Sequence, residues 1–231
     1  MSGQYTKDKK YVMVSEVPCY DVDSNMDMKP AAFMDLAQEI AHQAATALGF
    51  GYDALQTEGK AWVLSRMHYE FIRHPKWREN IELYTWHKGP YGPFYLRDFE
   101  LKNAGGDLLV RATSSWVILD VANRTMCRTA DVMEMIPEDT VCKDNAIERP
   151  ADKVMMPRGV TPEIAGEHKV EFSDIDLLGH TNNARYVVWA MDCIDFDELK
   201  TRPVKDVTVT FIHETRAGEV MENLQIAPNR R

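Results

Sequence analysis

The sequence predicts an α+β fold that contains two copies of one unit, each a long helix wrapped by an antiparallel sheet. Two observations lead to this prediction. A helical pattern in the first half is followed by four successive strand patterns, and an Asp-x-Asp pattern ahead of a helix occurs twice. The chain has 231 residues, of which 45% are hydrophobic and 27% are charged. This ordinary globular composition is enough for a substantial core.

The first copy begins with a strand and a long amphipathic helix. Alternating apolar residues predict a strand within residues 11–20. Beyond it, apolar residues recur with helical spacing: Phe33, Leu36, Ala37, Ile40, Ala41, Ala44 and Leu48. This stripe predicts a helix over residues 31–48, since Pro30 suits a first turn and Gly49 suits a C-cap. The many alanines would let a sheet pack closely against the helix.

Four strand patterns follow the helix, over residues 61–72, 81–87, 94–102 and 108–119. The last two are joined by N-A-G-G-D, a favourable hairpin turn. Four successive strands after one helix predict an antiparallel sheet around that helix. Residues 121–161 instead mix charges and prolines with few periodic apolar residues. This composition predicts a linker with one short helix near residues 130–135.

The second copy follows the linker. Asp174 and Asp176 precede an apolar stripe with the same spacing that separates Asp21 and Asp23 from the first helix. The stripe of the second copy consists of Tyr186, Trp189, Ala190 and Cys193. Around it we expect a strand at residues 168–172, a helix at 183–197 and strands near 204–213 and 220–226. The matched spacing predicts two copies that pack as a pseudo-dimer.

The repeat predicts a domain division. We expect an N-terminal domain at residues 1–128, a linker at 129–165 and a C-terminal domain at 166–231 that carries the catalytic residues. Only about two strands fit after the second helix, so the second sheet is expected to be short of strands. Either another element or a second subunit, in a homodimer, would have to cover its edge.

Polar residues gather at the start of the second helix: Asp174, Asp176, His180, Asn182 and Asn183. Asn and Asp are favoured at helix starts because their side chains accept hydrogen bonds from free N–H groups. The same N–H groups and the helix dipole can polarise a carbonyl. In the first copy, Asp27 and Lys29 take the places of His180 and Asn182. The second copy is therefore the one that carries candidate chemistry, with a well-capped loop as the alternative interpretation.

Composition excludes several classes of function. A net charge of −9 and a pI of about 5.3 argue against a nucleic-acid-binding surface. No apolar run reaches the roughly 18 residues that span a bilayer. The polar first ten residues, together with four cysteines that lack a C-x-x-C pair, predict a cytoplasmic protein with free thiols. No metal or cofactor is expected, because the histidines lack metal-ligand spacing.

Five motifs occur in a characteristic order: A-W-V-L-S-R-M (61–67), H-P-K-W-R-E-N (74–80), Y-L-R-D-F-E (95–100), R-A-T-S-S-W-V (111–117) and D-I-D-L-L-G-H-T-N-N-A-R-Y (174–186). Together they resemble the acyl-acyl-carrier-protein (acyl-ACP) thioesterases of plants and bacteria. The resemblance implies a tandem double hotdog fold, each hotdog being a long helix wrapped by an antiparallel sheet. It also implies hydrolysis of fatty acyl-ACP thioesters, which releases free fatty acid and ends chain elongation.

The chain departs from this family at one position of its main motif. The family motif is D-x-N-x-H-x-N-N, and Leu178 stands in place of its first Asn. The spelling here, D-x-D-x-x-G-H-x-N-N, is similar to that of single-hotdog acyl-CoA thioesterases. An acyl-CoA thioesterase and a catalytically weak acyl-binding module are therefore the two alternatives.

The resemblance assigns roles to the candidate site residues. Asp176 would orient or activate water, directly or through His180. Glu214, within a predicted strand at 211–215, matches the acidic residue of the family and would be the general base. Asn182 and Asn183 would cap the helix and position the carbonyl. Thr215 takes the place of the family cysteine, which excludes a cysteine nucleophile there.

The implied partner is an acyl carrier protein with its attached fatty acyl group. Because this chain is acidic and acyl carriers are acidic too, docking requires a local basic patch. One candidate patch is Arg73, His74, Lys76 and Arg78, and Arg185 with Arg216 form another. The acyl pocket is expected between the first helix and its sheet, with walls drawn from Met34, Leu36, Ala37, Ile40, Trp62 and Leu64.

Overall fold

The computed structural model describes residues 3–129 and 136–226. The strands are β1 Gln4–Tyr5, β2 Tyr11–Glu16, β3 Lys60–Phe71, β4 Asn80–Tyr91, β5 Phe94–Asn103, β6 Leu108–Asp120, β7 Thr125–Met126, β8 Glu163–Lys169, β9 Asp206–Thr210 and β10 Val220–Gln225. The helices are α1 Pro30–Ala47, α2 Tyr52–Thr57, α3 Asn183–Asp192 and α4 Phe196–Thr201. Among these residues, none of the helices has the length and apolar character needed to cross a bilayer.

The first repeat is a long helix against an antiparallel sheet, which confirms the predicted arrangement. The sheet has the order β1-β2-β4-β5-β6-β3-β9, and β7 pairs with the outer part of β6. Helix α1 begins at Pro30, whose fixed φ suits a first turn. It ends before Gly49, whose φ of +83° is readily adopted only by a residue without a Cβ. Its buried face is rich in alanine, so the sheet approaches closely.

The core lies between α1 and the inner face of this sheet. Phe33, Met34 and Ile40 of α1 are fully buried there against strand residues such as Tyr69. The Tyr69 hydroxyl donates a hydrogen bond to the Pro30 carbonyl at 3.1 Å, so this buried phenol is satisfied where the helix starts. The inner face of the sheet thereby fixes the position of α1, on which part of the candidate site is built.

The sequence repeat is visible in backbone geometry. Asp23 Oδ1 accepts the N–H groups two and four residues further on, at 2.8 and 3.0 Å, and Asp176 Oδ1 accepts the matching pair at 2.8 and 3.3 Å. Met26 and Gly179, at equivalent positions, both have positive φ. The order β8–α3–β9–β10 therefore repeats β2–α1–β3–β4, and the predicted internal duplication is confirmed.

The two repeats meet at equivalent strands. Strand β9 pairs antiparallel with β3, in a register that places Thr208 opposite His68 and Asp206 opposite Glu70. Because β9 is the counterpart of β3, this pairing creates a local two-fold axis near His68. Helices α1 and α3 also pack against each other. Residues from α1 and from the loop before α3 are thereby brought to one place.

The second sheet is divided. In the first repeat, β5 and β6 lie between β4 and β3. Within the described part of the chain the second repeat has no counterparts of these two strands. Strand β9 joins the first sheet, and β10 pairs with β8 as a separate ribbon. The prediction that the second repeat is short of strands is thus confirmed.

Several predicted element bounds in the second repeat are wrong. Helix α3 ends at Asp192, and a separate short helix, α4, starts after Asp195. Asp195 Oδ1 caps that helix by accepting two backbone N–H groups at 2.9 and 3.0 Å. Strand β8 ends at Lys169, so only the start of the strand predicted at 168–172 exists. The helix predicted near residues 130–135 lies outside the described residues.

Two further predictions in the second repeat need correction. Ala190, expected on the buried face of α3, is exposed, whereas Ala184 and Val187 are buried against the core. The shift occurs because α3 packs on α1 through this neighbouring face. Glu214 is not in a strand, since β9 ends at Thr210. It lies in the loop that connects β9 to β10.

A buried carboxylate holds the second repeat together. The Asp174 side chain is 1% exposed and accepts hydrogen bonds from His168 Nε2 at 2.8 Å, Arg185 Nε at 3.0 Å and the Glu171 N–H at 2.9 Å. Burial alone would raise the pKa of Asp174. The hydrogen bonds from Glu171, His168 and Arg185 outweigh burial, and the pKa is lowered.

Replacement of Asp174 by Ala should destabilise the fold by about 2–4 kcal/mol, because three donors lose their buried, charged acceptor. Urea unfolding measures this loss. Asp192→Ala, at an exposed acid of the same repeat, is the matched control and should change stability by less than about 0.5 kcal/mol. Since the folded-state pKa is lowered, the contribution is present above the unfolded pKa of about 3.9 and is lost as the pH falls through the folded-state value. Equal losses in both variants would contradict this assignment.

Candidate active site

A cavity of about 490 Å³ lies beside α1, at the junction of the two repeats. Aromatic and aliphatic side chains form most of its wall: Phe50, Leu55, Trp62, Tyr95 and Trp116. The loop of the second repeat at 176–183 forms the other side of its mouth. An apolar cleft with a few convergent polar groups is the usual form of a small-molecule site.

The predicted pocket walls are largely wrong. Of the six predicted residues only Trp62 lines the cavity, and Met34, Ala37 and Ile40 are buried in the core beneath the helix. The apolar stripe of α1 faces the sheet, as its periodicity requires. The cavity runs instead along the flank of the helix that carries Asp35 and Gln38.

The loop at the mouth is shaped by Asp176. Its Oδ1 accepts the N–H groups of Leu178 and His180, and Gly179 takes the positive φ of +79° that the turn requires. Asp176 and Leu178 both line the cavity. At the position where the family motif has a polar Asn, the mouth therefore has an apolar side chain.

The two asparagines bridge the repeats through Gln38. Asn182 caps α3 by accepting the Ala184 N–H at 2.8 Å, and its Oδ1 also accepts from Gln38 Nε2 at 3.3 Å. Asn183 Nδ2 donates to Gln38 Oε1 at 2.9 Å. Both asparagines line the cavity. Because Asn182 Oδ1 is occupied, the Nδ2 group of Asn182 and the backbone N–H of Asn183 are the donors available at the helix start.

Asp35 places a second carboxylate at the mouth. It lies on α1 one turn before Gln38, lines the cavity, and makes no hydrogen bond or ion pair with any residue that the structure describes. The side chain is accessible to solvent, but the surrounding protein partly desolvates it and raises its pKa to about 6. The negative charge of Asp21 adds to this rise, and Arg185 opposes it.

His180 and Glu214 meet at the rim, outside the set of residues that line the cavity. His180 Nε2 is 3.5 Å from Glu214 Oε2. Glu214 Oε1 accepts from Arg124 Nη2 and, at 3.3 Å, from Arg216 Nη2. Burial alone would raise the pKa of Glu214, but the hydrogen bond from Arg124 and the positive charge of His180 outweigh it and lower the pKa. Glu214 is therefore held as an ionised carboxylate of reduced basicity.

Three ligand-type side chains also meet away from this cavity. His68, Glu70 and Asp206 lie where β3 pairs with β9, with ligand atoms within 4.8 Å of one another. Sequence spacing could not reveal this cluster, because strand pairing brings Asp206 to the other two. Arg111 Nη2 lies 2.6 Å from Glu70, and His68 Nε2 lies 2.8 Å from Asp206. These contacts account for the cluster as the Arg111–Glu70 ion pair beside a hydrogen bond between His68 and Asp206.

Sequence reasoning missed Asp35 and Gln38. The available signal was a pair of polar residues on one flank of the alanine-rich stripe, and such residues usually face solvent. The packing of α3 on α1 brings Gln38 to Asn182 and Asn183, and Asp35 lines the same cavity. The candidate site is therefore shared between the repeats, whereas the sequence placed it in the second repeat alone.

Comparisons with known proteins agree with this architecture. The family models for the acyl-ACP thioesterase N-terminal and C-terminal domains match residues 8–136 and 160–230. The chain is 26% identical over 231 residues to the chloroplastic oleoyl-acyl carrier protein thioesterase of Coriandrum sativum, which covers 90% of this chain and 60% of that protein. It is also 26% identical over 247 residues to the chloroplastic oleoyl-acyl carrier protein thioesterase 2 of Arabidopsis thaliana, covering 97% of this chain and 64% of that protein. The chain thus spans less than two thirds of the length of these relatives.

Solved structures show the same fold. The 12:0-ACP thioesterase from Umbellularia californica superposes with a TM-score of 0.80 at 19% identity, covering 94% of this chain and 86% of that one. An acyl-ACP thioesterase from Bacteroides thetaiotaomicron superposes with a TM-score of 0.75 at 20% identity and the same coverage. With both family models matched in order along the chain, this protein belongs to the acyl-ACP thioesterase family and has its double hotdog fold.

Proposed function

We propose that this chain hydrolyses fatty acyl-ACP thioesters, releasing free fatty acid and ending chain elongation. The observation that carries the proposal is the apolar cavity beside α1, whose mouth presents three carboxylates and three amide side chains. The cavity suits an acyl chain, and the mouth suits the attack of water on a thioester. Membership of the family supports the same reaction.

The start of α3 would polarise the thioester carbonyl. Asn182 Nδ2 and the backbone N–H of Asn183 are two donors at the positive end of the helix dipole. Donors fixed in this way stabilise the oxyanion that forms when water attacks a carbonyl. Gln38 holds both asparagine side chains in place, so the arrangement requires little reorganisation during the reaction.

The attacking water would lie between Asp176 and Asp35. Asp176 uses Oδ1 for the loop and has Oδ2 left to orient water, directly or through His180. We propose that Asp35 takes the proton, because a pKa of about 6 suits a general base near neutral pH. Glu214 is the base that the family resemblance implies, with His180 beside it. The leaving thiolate is stable enough to depart with little acid assistance.

Comparison of carrier-bound and CoA-bound substrates tests the proposal. We expect a kcat/KM at least about tenfold higher for acyl-ACP than for the same acyl-CoA at equal concentration. A preference for acyl-CoA would favour the alternative function of an acyl-CoA thioesterase, which the Leu178–Gly179 sequence in the motif supports. Tight binding of both thioesters without turnover would contradict hydrolysis and favour an acyl-binding module.

Docking of the carrier is proposed at the turn between β3 and β4. Arg73 there pairs with Glu79 at 2.5 Å and Lys76 pairs with Asp27 at 2.7 Å, whereas Arg78 stacks on a tryptophan ring. Charge reversal of Lys76 and Arg78 together should raise the KM for acyl-ACP roughly three- to tenfold, because it removes attraction for an acidic partner. Steady-state kinetics measures this change.

The control substrate for the charge reversal is the matching acyl-pantetheine, which lacks the carrier protein. Its KM should not change in the Lys76/Arg78 variant. Unchanged kinetics with acyl-ACP would rule out this patch and leave the second candidate, Arg185 with Arg216. Arg185 is already bound to Asp174, and Arg216 to Glu214.

Assembly, domain division and location are also proposals. We infer a homodimer in which a second copy covers the open edge of the divided second sheet, and light scattering on the purified chain tests it. We propose domains at residues 1–128 and 166–231 joined by a linker at 129–165, with a cytoplasmic location. Strand β8, the first of the second repeat, begins at Glu163, shortly before the proposed start of the second domain.

A further inference from the structure

A buried arginine lines the same cavity. Arg97 on β5 is 6% exposed. It lies on the same face of the sheet as Tyr95 and Phe99, which face α1. Its Nη1 donates to Thr85 Oγ1 at 3.2 Å. In the described part of the chain the guanidinium makes no other hydrogen bond, and no carboxylate lies within ion-pairing distance of it. The guanidinium therefore faces the cavity with most of its donors unused.

The groups around Arg97 do not neutralise it. Burial, followed by the positive charge of Arg97 itself, lowers the pKa of His87 to about 4, so this imidazole is neutral at pH 7. His87 Nε2 is bonded to Thr140 Oγ1 at 2.7 Å. Burial lowers the pKa of Arg97 to about 10, so it keeps its charge. Asp98, next in sequence, points to the opposite face of the sheet and pairs with Lys88 at 3.1 Å.

Tyr5 is a further titratable group near Arg97. Burial raises the pKa of Tyr5 to about 12, with Arg97 opposing the rise, so the phenol is neutral. Its hydroxyl donates to the Ala44 carbonyl at 3.0 Å. An uncompensated buried cation is costly, and the cost falls when an anion accepts hydrogen bonds from it. A guanidinium is suited to a carboxylate because it can donate two parallel hydrogen bonds.

The position of Arg97 relative to the mouth can be followed along α1. Gln38 contacts Asn182 at the mouth, and Ala44 contacts Tyr5. Tyr5 pairs through Tyr11 of β2 with Thr85 of β4, and Thr85 is the hydrogen-bond partner of Arg97. Six residues of helix separate the two points, which corresponds to roughly 9 Å. The wall between them is apolar, with Trp62 and Tyr95 among its side chains. A medium-length acyl chain bound at the mouth would therefore bring its far end to the guanidinium.

We propose that Arg97 binds a carboxylate at the far end of the acyl chain, so that the preferred substrates are thioesters of medium-length dicarboxylic acids. The substrate has one carboxyl group joined to sulfur at the mouth and the other ionised at Arg97. This inference rests on the proposed function for the thioester end only. Binding at Arg97 requires no cleavage.

The test uses non-hydrolysable ligands. Acyl-pantetheine analogues with an amide in place of the thioester are prepared with chains of roughly eight to ten carbons, ending in either methyl or carboxylate. Calorimetry should show the carboxylate-ended analogue binding at least about tenfold more tightly to the wild-type protein, as a charge-assisted bidentate pair requires. Equal binding, or preference for the methyl end, would overturn the proposal, and this comparison needs no variant.

Variants then assign the preference to Arg97. Arg97→Gln should abolish the preference, and Arg97→Lys should retain part of it. Arg66→Gln is the matched control, since Arg66 stacks on Phe94 and does not line the cavity. It should keep the full preference. If Arg97→Gln folds, as shown by its melting temperature, and still prefers the carboxylate, the assignment is wrong.

The amide analogues, used together with the matching thioesters, separate this inference from the proposed function. If the carboxylate preference is present and no thioester is cleaved, the Arg97 site stands and the proposed function fails. If methyl-ended thioesters are cleaved and no preference is measured, hydrolysis stands and the Arg97 site fails.

Discussion

Replacing Asp176 by Asn is expected to lower kcat for acyl-ACP hydrolysis by roughly 10²–10³-fold, with little change in KM. An Asn side chain can still accept the Leu178 and His180 N–H groups through its oxygen, so the loop should keep its shape. It cannot carry the negative charge that orients and activates water at Oδ2. Release of free fatty acid from a carrier-bound thioester measures the loss.

The internal repeat supplies the matched control for this variant. Asp23 makes the same two backbone hydrogen bonds in the first repeat but does not line the cavity. Asp23→Asn should therefore keep wild-type turnover, with a change in melting temperature similar to that of Asp176→Asn. Equal loss of activity in both variants would reduce Asp176 to a loop-forming role. Wild-type activity in Asp176→Asn would show that the Asp176 carboxylate has no role in the reaction.

Replacing Asp35 by Asn is expected to lower kcat by about 10²-fold and to abolish the acidic limb of the pH–rate profile. A general base acts when ionised, so wild-type kcat/KM should rise about tenfold per pH unit up to about pH 6 and then level off. The raised pKa of Asp35 favours catalysis but lowers the stability of the folded state at neutral pH. Ionisation of Asp35 disfavours the folded state as the pH rises from about 4 to 6, so Asp35→Asn should be no less stable than wild type at neutral pH.

Two further variants make the Asp35 prediction decisive. Glu39→Gln removes a neighbouring acid on the same helix that also lines the mouth. This variant should keep the wild-type kcat and the acidic limb of the pH–rate profile. Glu214→Gln tests the base implied by the family resemblance. If the acidic limb persists in Asp35→Asn and disappears in Glu214→Gln, the proton goes to Glu214. Because the pKa of Glu214 is lowered, its limb would lie at lower pH than that of Asp35.

Local patterns were sufficient to predict the long helix and the main strands of the first repeat. The alanine-rich stripe between Pro30 and Gly49 specified α1, and apolar patterns specified the strands from β2 to β6. The paired Asp-x-Asp patterns revealed the duplication, because Asp23 and Asp176 shape identical turns. These features depend on neighbouring residues, which a sequence shows directly.

Features that depend on packing between the repeats could not be predicted in this way. Periodicity identified the apolar face of α1, but not that its polar flank, with Asp35 and Gln38, would line a cavity. The run F-I-H-E-T (211–215) predicts a strand that contains Glu214, although pairing of β9 with β3 ends at Thr210. The end of α3, in contrast, could have been predicted from the sequence, since Asp195 is a recognisable N-cap for a new helix.

The central claim is that the acyl chain lies in the cavity beside α1 with its carbonyl at the start of α3. Photo-crosslinking with a non-hydrolysable acyl-ACP analogue that carries a diazirine within its chain tests this most directly. Peptide mapping should locate the label on Trp62, Tyr95 or Trp116, and an unlabelled acyl-pantetheine should compete it away. Label confined to the β8–β10 ribbon or to the outer face of the sheet would contradict the account.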